Sequence, residues 1–120
     1  MIKIKDGMSL LAVQNIFNGA FPYLKLGFFR TTGTESGAKK EVFLKQDLLL
    51  RRSTGDYNMP ECVIDSNMSV REVEQLFLLH FGLLVQIFRK SGRSWLETKL
   101  TEDWSLEKQN CEGFELSTII

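Results

Sequence analysis

Two hydrophobic rhythms run along this chain, and one combination of them occurs twice. In the stretch 68–99, Val70, Val73, Leu76, Phe77, His80 and Phe81 fall on one face at helical spacing, with Arg71, Glu74 and Gln75 on the other. Ser69 stands before this run and Glu72 follows three residues later, the capping-box pattern in which hydroxyl and carboxylate satisfy each other's backbone N–H groups. Met68 and Val73 are placed to staple the entry, and Gly82 stops the helix. Residues 83–88 are apolar and rich in strand formers. After the polar, Gly-bearing break at 89–93, alternation resumes over 94–100, so a β-hairpin is expected.

The opening of the chain carries a fainter copy. Ile2 and Ile4 alternate with lysines as a short strand, and Asp6-Gly7 turns it. Met8-Ser9-Leu10 then starts a helix whose apolar face is Leu10, Val13, Ile16, Phe17 and Ala20, ended before Pro22. A strand over 23–29 follows. Sixty residues separate Ile4 from Ile64, Met8 from Met68, Ser9 from Ser69, Val13 from Val73, Phe17 from Phe77 and Phe21 from Phe81. The spacing predicts an internal duplication of a strand–helix–strand unit, residues 1–30 and 61–90. Between the copies, 31–40 reads as a mobile loop, Val42 and Leu44 alternate like a strand, 47–50 fits a strand or one helical turn, and 53–60 is a turn or loop. Beyond the hairpin, Trp104-Ser105-Leu106 repeats the apolar-Ser-apolar helix start, and hairpin plus helix are expected over 84–112. That helix should be short and stop near Gly113, leaving 114–120 as an edge strand or frayed tail. The sum is a single α+β domain over 1–120: one mostly antiparallel sheet with helices on one face, in ferredoxin-like order or, as the alternative, β-grasp-like.

Charge changes this picture in one respect. The formal net charge is zero, so no global field recruits nucleic acid or an anionic membrane. Yet residues 1–60 carry a balance of +4 and residues 61–120 of −4, which pairs basic and acidic halves within one molecule or between two. Cys62 and Cys111, with no apolar leader pattern at the start and no membrane-length apolar run, point to a reduced, cytoplasmic protein with free thiols.

Candidate chemistry is sparse. His80, the single histidine, sits on the core side of a helix end, where a buried structural role outweighs a base or metal ligand. Neither cysteine stands where a thiolate is favoured, and no metal-ligand spacing or phosphate-cradling glycine loop is present. No catalytic residue, cofactor or metal is assigned, and the chain is expected not to be an enzyme. The hairpin 88–95 would bring Arg89, Lys90 and Arg93 to one tip above Phe88 and Trp95, a set suited to phosphates and bases, with Lys39-Lys40 and Arg51-Arg52 as extensions, but a solvated turn whose cations keep the edge soluble, with Phe88 or Trp95 turned into the core, outweighs that reading. Leu78 and Leu79 flank the main apolar face on opposite sides, and one face cannot bury both with Phe77; either the third helix or a partner covers them.

The segments EVEQLF (72–77), HFGL (80–83), VQIFRKSG (85–92), WLET (95–98) and WSLEKQN (104–110) resemble small uncharacterised proteins of Bacteroidetes-type bacteria, and FPYLK (21–25) is similar to their N-terminal part. The likeness implies a bacterial, cytoplasmic setting and brings no activity or site residue. The expected function is a non-catalytic protein-interaction module, self-associating or bound to an unknown protein, with nucleic-acid binding through the basic hairpin as the alternative.

Overall fold

The computed structural model describes residues 1–33, 39–52 and 61–118. Both predicted helix starts are built as the sequence implies. Ser9 Oγ accepts the Ala12 N–H at 3.0 Å and opens α1 (Leu10–Ala20). Ser69 Oγ accepts the Glu72 N–H at 3.1 Å, and Glu72 Oε1 accepts the Ser69 N–H at 3.4 Å, opening α2 (Val70–Phe81). Gly82 ends α2 at φ 63°, the left-handed conformation glycine adopts without steric cost. Each helix follows a three-residue strand, β1 (Ile2–Ile4) or β4 (Cys62–Ile64). Each precedes a hairpin: β2 (Leu24–Gly33) with β3 (Lys39–Phe43), and β5 (Leu84–Ser91) with β6 (Ser94–Glu97). A final helix, α3 (Leu106–Thr118), closes the order.

The class is α+β, but the sheet is not single. Among the described residues β3-β2-β5-β6 form one antiparallel sheet and β1-β4 a separate two-stranded one. Neither expected topology is built, for a simple reason. β2 pairs β5 from Leu24↔Arg89 to Phe29↔Leu84, and each has its own hairpin partner on its outer flank. No central lane is left for β1 or β4. They pair with each other, Ile2↔Ile64 and Ile4↔Cys62, and all four of these side chains are buried. The core unites them with Val13 and Phe17 of α1, Val73 and Phe77 of α2, Leu106 of α3, and one sheet face made of Leu24, Leu26, Phe28, Val85 and Ile87. Phe28 meets Phe77 edge-on at 5.4 Å between centroids.

Two further corrections concern 31–50 and the C-terminal end. Thr31 to Gly33 and Lys39 to Phe43 are paired strand, so much of the expected loop is a hairpin; 34–38 and the expected loop at 53–60 lie outside the described residues. α3 does not stop at Gly113 but runs through it to Thr118. A Cβ on Gly113 would lie 2.8 Å from Tyr23 Cβ and 3.1 Å from the Tyr23 carbonyl oxygen. This glycine is a contact surface, needed for α3 to sit against the start of β2, and not a helix stop.

One correspondence extends beyond the strands. The Leu10 N–H donates to the Leu48 carbonyl, Leu11 to Gln46, and Leu50 to Met8. In the second half the Val70 N–H donates to the Trp104 carbonyl, Arg71 to Glu102, and Leu106 to Met68. Segments 46–50 and 102–106 thus strap the two helix starts through matching bonds, each burying its last leucine completely.

Candidate functional site

The outer flank of β2 is paired by β3 only from Phe29 onward, so, among the described residues, 24–27 form a strand edge that no other strand pairs. Leu24, Leu26 and Phe28 turn their backbone polar groups to this edge, because alternate residues of an antiparallel strand face opposite neighbours. The Phe28 carbonyl accepts the Leu44 N–H at 2.8 Å. The other two carbonyls are held by α1. Asn18 Nδ2 donates to the Leu24 oxygen at 2.9 Å, and Gln14 Nε2 to the Leu26 oxygen at 2.9 Å. Four residues of helix advance about 6 Å and two residues of strand about 6.7 Å, so an i, i+4 pair of amides matches an i, i+2 pair of carbonyls. Gln46 Nε2 donates to Gln14 Oε1 at 3.0 Å and fixes that amide in turn.

Between α1 and this edge lies an open groove of about 670 Å³. Its far wall belongs to the sheet face turned away from the core, where Lys25, Gly27, Phe43, Phe88 and Trp95 line it and Lys90 and Glu97 lie farther along the same face. Phe43 and Phe88 pack 6.2 Å apart, and Phe43 remains 57% exposed. Both rings crowd Gly27: a Cβ there would meet Phe43 at 2.8 Å and Phe88 at 3.3 Å. Lys25 Nζ lies 4.8 Å from the Trp95 ring centre and 5.4 Å from that of Phe88, within cation–π range. At the corresponding place in the second half, Thr98 Oγ1 donates to the Ile87 carbonyl at 2.8 Å, and the groove, lined by Glu74, Leu78 and Lys99, holds about 240 Å³. Burial, with Glu102 adding to it, raises the Glu74 carboxyl above its ordinary range against the pull of Lys99 and Arg71.

The basic hairpin differs from expectation. Gly92 turns it at φ 61°, with Arg93 exposed beside it. Lys90 stands opposite Trp95, as the hairpin pattern requires. Arg89, however, is drawn off the tip. Its side chain lies on the core face, donates to Gln109 Oε1 at 2.9 Å and stacks over Trp104 at 5.5 Å. The three cations therefore do not converge. Arg51 and Arg52 lie elsewhere: the Arg52 N–H donates to Asp6 Oδ1 at 2.7 Å. Leu78 and Leu79 stay 53% and 62% exposed, so α3 covers neither.

His80 is buried in the last turn of α2, and its imidazole is held below its ordinary value by burial first and the Arg52 charge second. Cys62 is buried on β4, and burial pushes its thiol up to about 12, against a smaller pull from Arg52. Cys111 is exposed and unpaired on α3. Among the described residues no group of three or more His, Cys, Asp or Glu is placed to hold a metal ion, and no helix is long and apolar enough to cross a membrane. Sequence reasoning missed Gln14, Asn18, Lys25, Gly27, Phe43 and Gln46. A lone glycine inside a strand pattern was the one local signal, since it marks close approach of other groups to backbone. Compared with family models, curated proteins and solved structures, the chain matches none.

Proposed function

We propose that this chain is a non-catalytic interaction module whose partner is another protein, held on the α1–β2 side of the sheet. The observation that carries the reading is the groove itself: a strand edge that no described strand pairs over residues 24–27, walled by the exposed Phe43, the half-buried Phe88 and Trp95, and side-chain amides. Such edges pair with other chains unless they are covered. The exposed Leu78 and Leu79 on α2 offer a second apolar surface, and the opposed charges of the two halves can pair within one molecule, as Lys3 and Glu61 do, or between two copies. The test is recovery of partners from bacterial lysate on the immobilised chain, with and without nuclease, beside a light-scattering mass of the chain alone. A defined protein that survives nuclease and is lost with Phe43→Asp supports the reading, and a mass of two chains makes the partner a second copy. Material that vanishes with nuclease, or is retained equally by Phe43→Asp, overturns it.

Nucleic-acid binding has one observation in its favour, the sharing of one sheet face by Lys25, Phe88, Lys90 and Trp95. Affinity for decathymidine that falls steeply with salt and is lost on neutral substitution of Lys25, Lys90 and Arg93 would establish it.

We propose also that the halves arose by duplication. What supports this is the matched pair of helix-start straps and the way both cross-half pairings, β1 with β4 and β2 with β5, centre on like positions: Lys3 opposite Val63 and Leu26 opposite Ile87. A reducing, cytoplasmic setting is supported by the unpaired Cys62 and Cys111.

A further inference from the structure

We propose that the α1–β2 groove takes an extended, acidic segment of a partner protein, added as a strand to the edge of β2 over residues 24–27; this rests on the interaction-module reading. The lane next to β2 is occupied by β3 as far as Phe43, and Leu44 gives one more bond to Phe28 before the chain turns away. Beyond that point no strand among the described residues pairs β2 for about four residues, roughly 13 Å of extended chain. Its two carbonyls, Leu24 and Leu26, are held by the side-chain amides of Asn18 and Gln14 and not by a strand. The Leu26 N–H points to the same edge and has no acceptor among the described residues. An incoming backbone replaces each amide donor with one of its own N–H groups and supplies the acceptor that Leu26 lacks. The displaced amides stay beside it, free to bond the new strand's outer side. No backbone group loses a partner in the exchange, which is what an edge must satisfy to accept a strand.

Charge names the segment's chemistry. Among the described residues that line the groove, Lys25 is the only one that ionises, and its ammonium is presented over Trp95 and Phe88 at the groove wall. An acidic side chain on the segment pairs with it, while apolar neighbours lie along Phe43. The second half shows the closed alternative: there the buried Thr98 hydroxyl occupies the Ile87 carbonyl and the smaller groove is lined by both signs of charge, with Arg71, Glu74 and Lys99.

The probe is a random heptapeptide display library panned on the full chain, with selected peptides then measured by fluorescence polarisation and by amide hydrogen exchange. Acidic sequences should be enriched. Saturation with a selected peptide should slow exchange of the Leu26 amide at least tenfold. Methylating alternate peptide nitrogens should weaken binding tenfold or more in one register only, and Lys25→Glu should weaken acidic peptides by a similar factor. Peptides that bind unchanged after both alterations overturn the proposal. Protection confined to α2 at Leu78 and Leu79 removes the groove but leaves the interaction module standing. Failure to enrich any peptide, with decathymidine protecting the same sheet face, sinks both.

Discussion

At the scale of single residues, two glycines in helices have opposite duties. Gly19 in α1 faces open space, so Gly19→Ala should stabilise the fold by about 0.5–1 kcal/mol through helix propensity alone. Gly113 in α3 is pressed against Tyr23, so Gly113→Ala should cost about 1–3 kcal/mol despite the same propensity gain. Urea unfolding of the two variants checks the pair, and equal signs would mean that the Tyr23 contact yields easily. Nothing in the sequence separates these glycines, because the neighbour that decides the matter lies ninety residues from Gly113 in the chain. His80 was more readable: its place on the apolar face of a helix end foretold a buried ring. Because burial holds its folded value below the unfolded one, near 6.5, the unfolded chain binds the proton more readily. Its contribution to stability is whole above that pH and is lost as pH falls from about 6.5 toward the folded value. The urea midpoint should therefore fall between pH 7 and 5 more steeply in the native chain than in His80→Gln.

At the scale of elements, caps and turns were legible because their chemistry is local. Ser69, Glu72 and Gly82 announce both ends of α2, and Ser91-Gly92-Arg93-Ser94 announces the tip of the last hairpin. The straps at 46–50 and 102–106 were not, because their likeness lies in backbone bonds and not in side chains; only an aspartate and a final leucine stand at matching places. Leu50 and Leu106 should therefore behave as a pair. Alanine at either should cost about 2–5 kcal/mol, as buried leucines do, and the exposed neighbour Leu49→Ala should cost under 1 kcal/mol. The groove was invisible for a related reason. Its walls come from α1, β2, 43–46, β5 and β6, and no single stretch carries more than a fragment of it. The basic tip was misread because strand parity, which turns Arg89 inward beneath α3, depends on a register that sequence leaves open by one residue.

At the scale of the whole molecule, the class was legible and the sheet order was not. Each half reads as a self-sufficient unit, yet half of the paired strand positions cross between them. β1 finds its partner in β4 and β2 in β5, so neither half can satisfy its own edges. Fragments 1–60 and 61–120 should each lack a cooperative unfolding transition as monomers, and mixing them should restore one, as circular dichroism against urea would show. Cooperative folding of either fragment alone would mean that its hairpin and helix suffice. The three-residue ribbon of β1 and β4 also sets a clock. Ile2 and its partner Ile64 lie 62 residues apart in the chain. At about 5–20 residues per second, the first strand waits roughly 3–12 s for that partner to be made. Throughout that interval Ile2 and Ile4 have no strand to lie beside, so β1 is a segment a chaperone would shield while the chain is being made.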